Sequence, residues 1–473
     1  MARNLNLLTA HHLRTIGGGL IGFLLAGVTL SQTPIPSGPQ FQVNTNTDYN
    51  QFVSSVASTP DGGFIVSWSS YTQTGPGLSA ATMKFQRYDR DGFQAGGETE
   101  VDPNWSYGAP VVAVGSGGDF VVVWEDFYNY PPNIDLAGQR YSADGITVGA
   151  KFQLNSLAGG IAVNGDVGVT PAGQFVVVWQ SYLSAGSDTS RFSIQARRFE
   201  SDGNPIGDQF QVNTYTTDMQ QFPKIAIGSG GEFVVAWSSD PTYVPDPLAL
   251  PRQGSMPLGL PPDGDRDGRS IRARRYAPNG SAIGDEFRVN TITQYNQDRP
   301  DIDVDSTGNF VVVWESEAYS APDLEPASVQ AQRFDANGIF VGAELQINAY
   351  TTSGQYGPSV SFVDDGNFVV VWDSSGSFGS DSSYLSIQGR VILSDGSPSG
   401  GEFQVNSYTT NSQSQAVVAT RPGNEFMVAW LSNGSPGPDN SGFSVQAQRF
   451  GPSEIFADGF QSGDTSAWSS TVP

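Results

Sequence analysis

One strand-like stretch is written seven times in this chain: Phe64–Trp68, Phe120–Trp124, Phe175–Trp179, Phe233–Trp237, Phe310–Trp314, Phe368–Trp372 and Phe426–Trp430. Each copy is five residues of aromatic, β-branched and small side chains, and nearly every position is apolar. A strand that is apolar on both sides of its pleat must be covered on both faces. A short strand cannot do that alone, so each copy needs others stacked on either side. The tryptophans lie 56, 55, 58, 77, 58 and 58 residues apart. That period is too long for one solenoid coil and suits a unit of four strands.

The copy that begins at Pro223 shows the four pieces. Lys224 to Ile227 reads as a short strand, and Gly228 to Gly231 as a turn. The buried strand is Phe233 to Trp237. A variable loop leads to Ile271 to Tyr276, Asn279-Gly280 makes a turn, and Phe287 to Asn290 is the last strand. Asp91-Gly92, Asp144-Gly145, Asp202-Gly203, Asn337-Gly338 and Asp395-Gly396 occupy the place of Asn279-Gly280. Such dipeptides accept positive φ and mark tight hairpins. Calcium ligation is the competing reading, and most copies lack the further oxygen ligands it needs. The third strand alternates apolar and polar residues, as in Ile194-Gln-Ala-Arg-Arg-Phe199. Full burial followed by half burial describes a sheet that runs from a packed centre to a wetter rim. The expected fold is all-β: a seven-bladed β-propeller of four-stranded antiparallel blades. A string of small β-sandwiches is the alternative, and units this short are small for that fold.

The phase of the repeat predicts how the ring closes. With the strands lettered A to D in each unit, Phe41-Gln-Val-Asn44 is a D strand with nothing before it. The last pieces are A (Ala416 to Ala419), B (Phe426 to Trp430) and C (Val445 to Phe450), with no D after them. The N-terminal D strand can complete the last blade and remove an open edge.

The pattern Asp-Gly-x-Phe-Val-Val-Val-Trp, then Ile-Gln-x-Gln-Arg-Phe, then Phe-Gln-Val-Asn-Thr-Tyr-Thr resembles a tandem repeat of secreted bacterial proteins. The resemblance spans Phe41 to Phe450 and implies a propeller-like fold. It brings no catalytic residues. The segment Glu454 to Ser469 resembles short C-terminal tails of other secreted bacterial proteins.

Residues 1–31 are expected to be a secretory signal, with Arg3 and Arg14 ahead of an apolar, Gly-rich run from Ile16 to Leu30. An uncleaved N-terminal anchor is the alternative. Residues 32–40 read as a Pro-rich linker, 41–450 as the propeller and 451–473 as a tail. The only histidines are His11 and His12, and there is no cysteine. Once the signal is removed, Ser-His-Asp and Cys-His catalysis and His- or Cys-based zinc sites are excluded. A net charge of −24 disfavours nucleic acid and anionic membranes and fits a soluble, monomeric extracellular protein.

Several residues are candidates for function. Arg87, Arg140, Arg198, Arg275, Arg333, Arg390 and Arg449 recur at one position of strand C and either bind an anion or pack their stems on the sheet and pair with a carboxylate or aromatic of their own or a neighbouring blade. The repeated tryptophans are expected in the core, with sugar stacking as the alternative. The insert from Asp240 to Arg269 ends Asp263-Gly-Asp-Arg-Asp-Gly268. Asp263, Asp265 and Asp267, followed by Gly268, match the first half of a calcium loop, but Arg274 stands where the bidentate Glu belongs. The only metal expected is therefore Ca²⁺, at these three aspartates. Asp301, Asp303 and Asp305 also alternate, beside a turn. The B–C and D–A loops share one face, which gathers the irregular sequence, including Glu125/Asp126 and Glu315/Glu317. The expected function is a non-enzymatic scaffold that binds protein or glycan ligands on that face. The alternatives are a carboxylate-based polysaccharide hydrolase or lyase, and a purely structural repeat protein.

Overall fold

The structure is a computed structural model that describes residues 33–48, 50–75, 78–102, 108–127, 134–156, 160–240, 268–317, 327–376, 379–435, 437–439 and 442–451. Seven antiparallel sheets follow one another along the chain, and each has the strand order expected of a propeller blade. Blade 1 is Gln51–Ser58, Phe64–Gly75, Leu78–Tyr88 and Thr99–Asp102. Blade 2 is Val111–Val114, Phe120–Phe127, Ile134–Tyr141 and Thr147–Gln153. Blade 3 is Ala162–Val169, Phe175–Ser181, Ser193–Phe199 and Pro205–Gln211. Blade 4 is Gln220–Ile227, Phe233–Ser239, Ser270–Tyr276 and Ala282–Arg288. Blade 5 is Gln297–Val304, Phe310–Ser316, Ser328–Phe334 and Phe340–Gln346. Blade 6 is Gln355–Phe362, Phe368–Ser375, Leu385–Ile392 and Phe403–Gln404. Blade 7 takes Gln413–Arg421, Glu425–Asn433 and Phe443–Gly451 from the end of the chain.

The all-apolar B strands are explained by where their two faces go. Phe310, Val312 and Trp314 pack against Ala226, Val234 and Ala236 of blade 4. Val311 and Val313, on the other face of the same strand, pack against Val360, Phe368, Val370 and Trp372 of blade 6. Each B strand thus belongs to two inter-blade cores, and its tryptophan is fully buried. Four of the indoles donate to a glutamine at the start of their own blade, as Trp314 Nε1 does to Gln297 Oε1 at 2.8 Å. The same glutamine donates to the D–A loop, as Gln297 does to the Gln294 carbonyl.

The ring closes as the phase requires. Phe41 and Gln42 pair with Ala447 and Gln446 in strand C of blade 7. Val43 donates to the Val445 carbonyl at 2.8 Å, and Val445 donates to Asn44 Oδ1 at 2.8 Å. Blade 4 does the same within one continuous stretch, with Val289 donating to Ile271 O and Ile271 N donating to Asn290 Oδ1. Residues from the stretch read as a linker also take part: Ile35 and Pro36 pair with Gly451 and Phe450. Gln40 Oε1 accepts from Ser407 N of blade 6 at 2.9 Å. Met427, Ala429 and Leu431 of blade 7 share a core with Phe64, Val66 and Trp68 of blade 1.

The strand-C arginines are ties between blades. Arg87 Nη1 donates to Ala143 O at 2.7 Å, Arg140 to Ser201 O at 2.9 Å, and Arg198 to Pro278 O at 3.3 Å. Arg275 reaches Asn337 O, Arg333 reaches Asp395 O, and Arg449 reaches Arg90 O across the closure. Each acceptor is a carbonyl in the next blade's C–D turn. Arg390 breaks the expected pattern. Val391 pairs with Val369 where the tying arginine would stand, and Arg390 instead donates to Ile347 O of the preceding blade at 2.7 Å. Blade 7 receives its D strand from the N-terminal segment, so no C–D turn is there for an arginine of blade 6 to reach.

Candidate functional site

The seven A strands line a central channel with a cavity of about 390 Å³. One side of it carries Asp166, Lys224, Asp301 and Asp303, and the other side is mostly Val, Ala and Ser. Asp301 Oδ2 accepts from Val360 N at 2.9 Å and Asp303 Oδ2 accepts from Phe362 N at 2.7 Å. Asp166 Oδ2 accepts from Ile225 N at 2.9 Å. The innermost strand of a blade has a free edge toward the channel, and these carboxylates satisfy amides on the next blade's edge. Lys224 is held charged chiefly by Asp166, with Asp301 adding to the effect. Burial pushes Asp303 up to about 6. Asp305, the third of the alternating aspartates, turns away and caps its own turn through Thr307 N and Asn309 N.

At the loop-face end of the channel the A strands share a feature with no local signal in the sequence. Five of them carry a bulge with a residue at positive φ: Asn164 (53°), Phe222 (53°), Arg299 (50°), Gly357 (54°) and Gln415 (57°). Phenylalanine, arginine and glutamine take that conformation at a cost of about 1–3 kcal/mol unless something holds it. The holder is the residue after the tryptophan in the preceding blade. Glu125 Oε1 accepts from Asn164 N at 2.8 Å, Gln180 Oε1 from Phe222 N at 3.1 Å, and Ser238 Oγ from Arg299 N at 3.1 Å. Glu315 Oε2 accepts from Gly357 N at 3.3 Å, and Asp373 Oδ2 accepts from Gln415 N at 2.8 Å. A ring of clasps therefore fixes a ring of bulges, and bulges re-aim the side chains they carry.

The acidic pairs noticed in the sequence separate in space. Glu125 holds the bulge of blade 3, while Asp126 lies 2.8 Å from Lys151 Nζ. Glu315 holds the bulge of blade 6, while Glu317 accepts from Asn296 Nδ2 at 2.7 Å. Asp373 was not singled out in the sequence. Burial pushes it up to about 7, the nearby Glu315 adds to the rise, and Arg299 opposes it. Glu125 and Glu315 are raised in the same direction, again by burial first.

A cavity of about 310 Å³ opens at this end of the channel. Phe52, Tyr71, Ser54, Ser69, Glu125, Asn164 and Gln415 line it. Phe52 and Tyr71 meet edge to face at 5.2 Å. The Asn164 and Gln415 side chains are exposed, and neither amide bonds to another described residue. A cavity of about 740 Å³ lies on the opposite face between blades 5, 6 and 7. Its polar groups serve the turns: Asp364 Oδ2 accepts from Gly423 N at 2.6 Å, and Arg333 ties Asp395 O.

Asp263, Asp265 and Asp267 lie outside the described residues. The insert that carries them ends at Arg269, whose guanidinium is paired with Asp240 at 2.7 Å and Asp298 at 2.5 Å. Among the described residues no group of three or more acidic or His side chains is arranged to hold a metal ion.

No family model matches the chain, and no curated protein matches it by sequence. Among solved structures it is similar to a protein of unknown function from Dyadobacter fermentans, at 12% identity and TM-score 0.47, covering 87% of this chain and 98% of that one. An α-L-arabinanase of Penicillium chrysogenum is 13% identical with TM-score 0.45, over 88% of this chain and 98% of the other. The polysaccharide lyase Uly1 is 9% identical with TM-score 0.49, over 88% of this chain and 100% of the other.

Proposed function

We propose that this protein is a non-enzymatic binding scaffold, secreted or held at the cell surface, that takes a protein or glycan ligand at the loop-face mouth of its channel. The observation that carries this reading is the contrast at the bulges. The backbone there is repeated and clasped from blade to blade, while its side chains differ: Asn164, Phe222, Arg299, Gly357 and Gln415. Variation placed on a rigid frame is the arrangement of a recognition surface. The mouth carboxylates Glu125, Glu315 and Asp373 are already engaged as acceptors of backbone amides, which favours binding over acid–base chemistry.

One observation supports hydrolase or lyase chemistry as a second reading. Asp373 is raised to about 7 beside Glu315, and a carboxyl group that titrates near neutrality is the kind used as a general acid. A single experiment tests both. The purified protein is applied to glycan and polysaccharide arrays with and without calcium, and the bound polymers are recovered and sized. The scaffold reading predicts retention of polymers of unchanged length. Shortened chains, or new reducing or unsaturated ends, would replace it with the enzyme reading.

A further inference from the structure

We infer that the 310 Å³ cavity at the mouth, between blades 7, 1, 2 and 3, is a subsite for one ring of a neutral, hydroxyl-rich glycan. This rests on the scaffold reading above and names its ligand class and contact residues. The size falls in the range of small-molecule sites, about 300–1,000 Å³. The lining joins an aromatic pair, Phe52 and Tyr71, to two free primary amides and a carboxylate. An aromatic ring offers a flat apolar face to the C–H side of a sugar. Each amide offers a donor and an acceptor side by side, the pattern that matches neighbouring hydroxyls. Glu125 keeps Oε1 on the Asn164 amide of the backbone and lines the same cavity.

The charge of the lining decides between glycan classes. Among the described residues no lysine or arginine lines this cavity, and Glu125 stands in it within a chain of net charge −24. A uronate or sulfated sugar would meet repulsion with no counter-charge, so the ligand is uncharged.

The position of the two amides also makes the inference testable without unfolding the protein. Asn164 and Gln415 both sit at positive φ, which glycine accepts at no steric cost. Asn164→Gly and Gln415→Gly remove the amides while the backbone N–H groups still reach Glu125 and Asp373. The expected result is that wild type retains neutral glycans on an array and the double variant binds them about tenfold more weakly or worse. Its melting temperature should be unchanged or higher. Tyr384→Ala, in an exposed loop of blade 6, should leave binding intact. Full affinity in the double variant would overturn the inference and leave the scaffold reading standing. Binding confined to anionic glycans, or lost only in the Tyr384 variant, would place the ligand elsewhere and also overturn it. Failure of wild type to retain any glycan would overturn the inference together with the glycan half of the scaffold reading.

Discussion

Trp314 shows what one residue does here. It is fully buried, and its indole N–H is paired with Gln297, which in turn holds a loop. Trp314→Ala should cost about 3–5 kcal/mol in chemical denaturation, as large aromatic truncations do in packed cores. A loss under about 1 kcal/mol would place the side chain outside the core. Trp179 is equally buried, but its indole N–H meets no partner among the described residues. Trp179→Phe should therefore cost less than Trp314→Phe, which strands the Gln297 oxygen. Asp373 gives a pH signature. It faces Glu315 and Arg299 and accepts from Gln415 N and Ala416 N. Burial raises its folded pKa from the 3.8 of an ordinary aspartate to about 7, so between those values the folded state holds a proton that the unfolded state has lost. Stability from this group is fully present below about pH 4 and is lost as pH rises through about 7. Relief of the overall negative charge acts in the same direction, so the comparison is what counts. Melting curves from pH 5.5 to 8.5 should fall less steeply for Asp373→Asn than for wild type, and equal slopes would contradict the assignment.

At the scale of the element, the turn glycines and the strand-C arginines explain each other. Gly338 has φ +78°, and a Cβ there would stand 2.8 Å from the Arg275 side chain of the preceding blade. Gly338→Ala should destabilise by about 1–3 kcal/mol from backbone strain alone, measured by denaturant titration. The Asp-Gly dipeptides were legible as hairpins because the demand for positive φ is local. The place of the arginines was only partly legible. Six of them fall where the repeat puts them, but Arg390 lies one residue out of register beside Val391, and only the topology of the last blade explains why. The bulges were not legible at all. Phe222 and Arg299 are not residues that choose positive φ, and what holds them is a Gln or Ser in the preceding blade. The available signal was the run of polar residues just after the tryptophans: Ser69, Glu125, Gln180, Ser238, Glu315 and Asp373. For the insert, Arg269 is engaged by Asp240 and Asp298, while Asp263, Asp265 and Asp267 lie outside the described residues. We retain Ca²⁺ as their proposed ligand, with affinity of about 10⁻⁴–10⁻³ M, as in extracellular modules. Calorimetry should give binding heat that Asp265→Ala abolishes, and no heat at millimolar calcium would remove the site.

At the scale of the molecule, the account depends on a ring that holds itself shut. The seven B strands each serve two cores, so no blade is complete without both neighbours, and an open end would expose one apolar face and one unpaired edge. This was the most legible feature of the chain, because a D strand at one end and its absence at the other are visible in the sequence alone. The structure adds how much the closure uses: Ile35 to Asn44 supplies two strand pairings, the Asn44 bond to Val445 and the Gln40 bond to Ser407. The most direct test is to delete Phe41 to Asn44 and follow thermal unfolding and light scattering beside the intact chain. The deletion should melt at a lower temperature and aggregate, because strand C of blade 7 is left with a bare edge along Val445 to Ala447. A deletion that melts and scatters like the intact protein would contradict the closed ring.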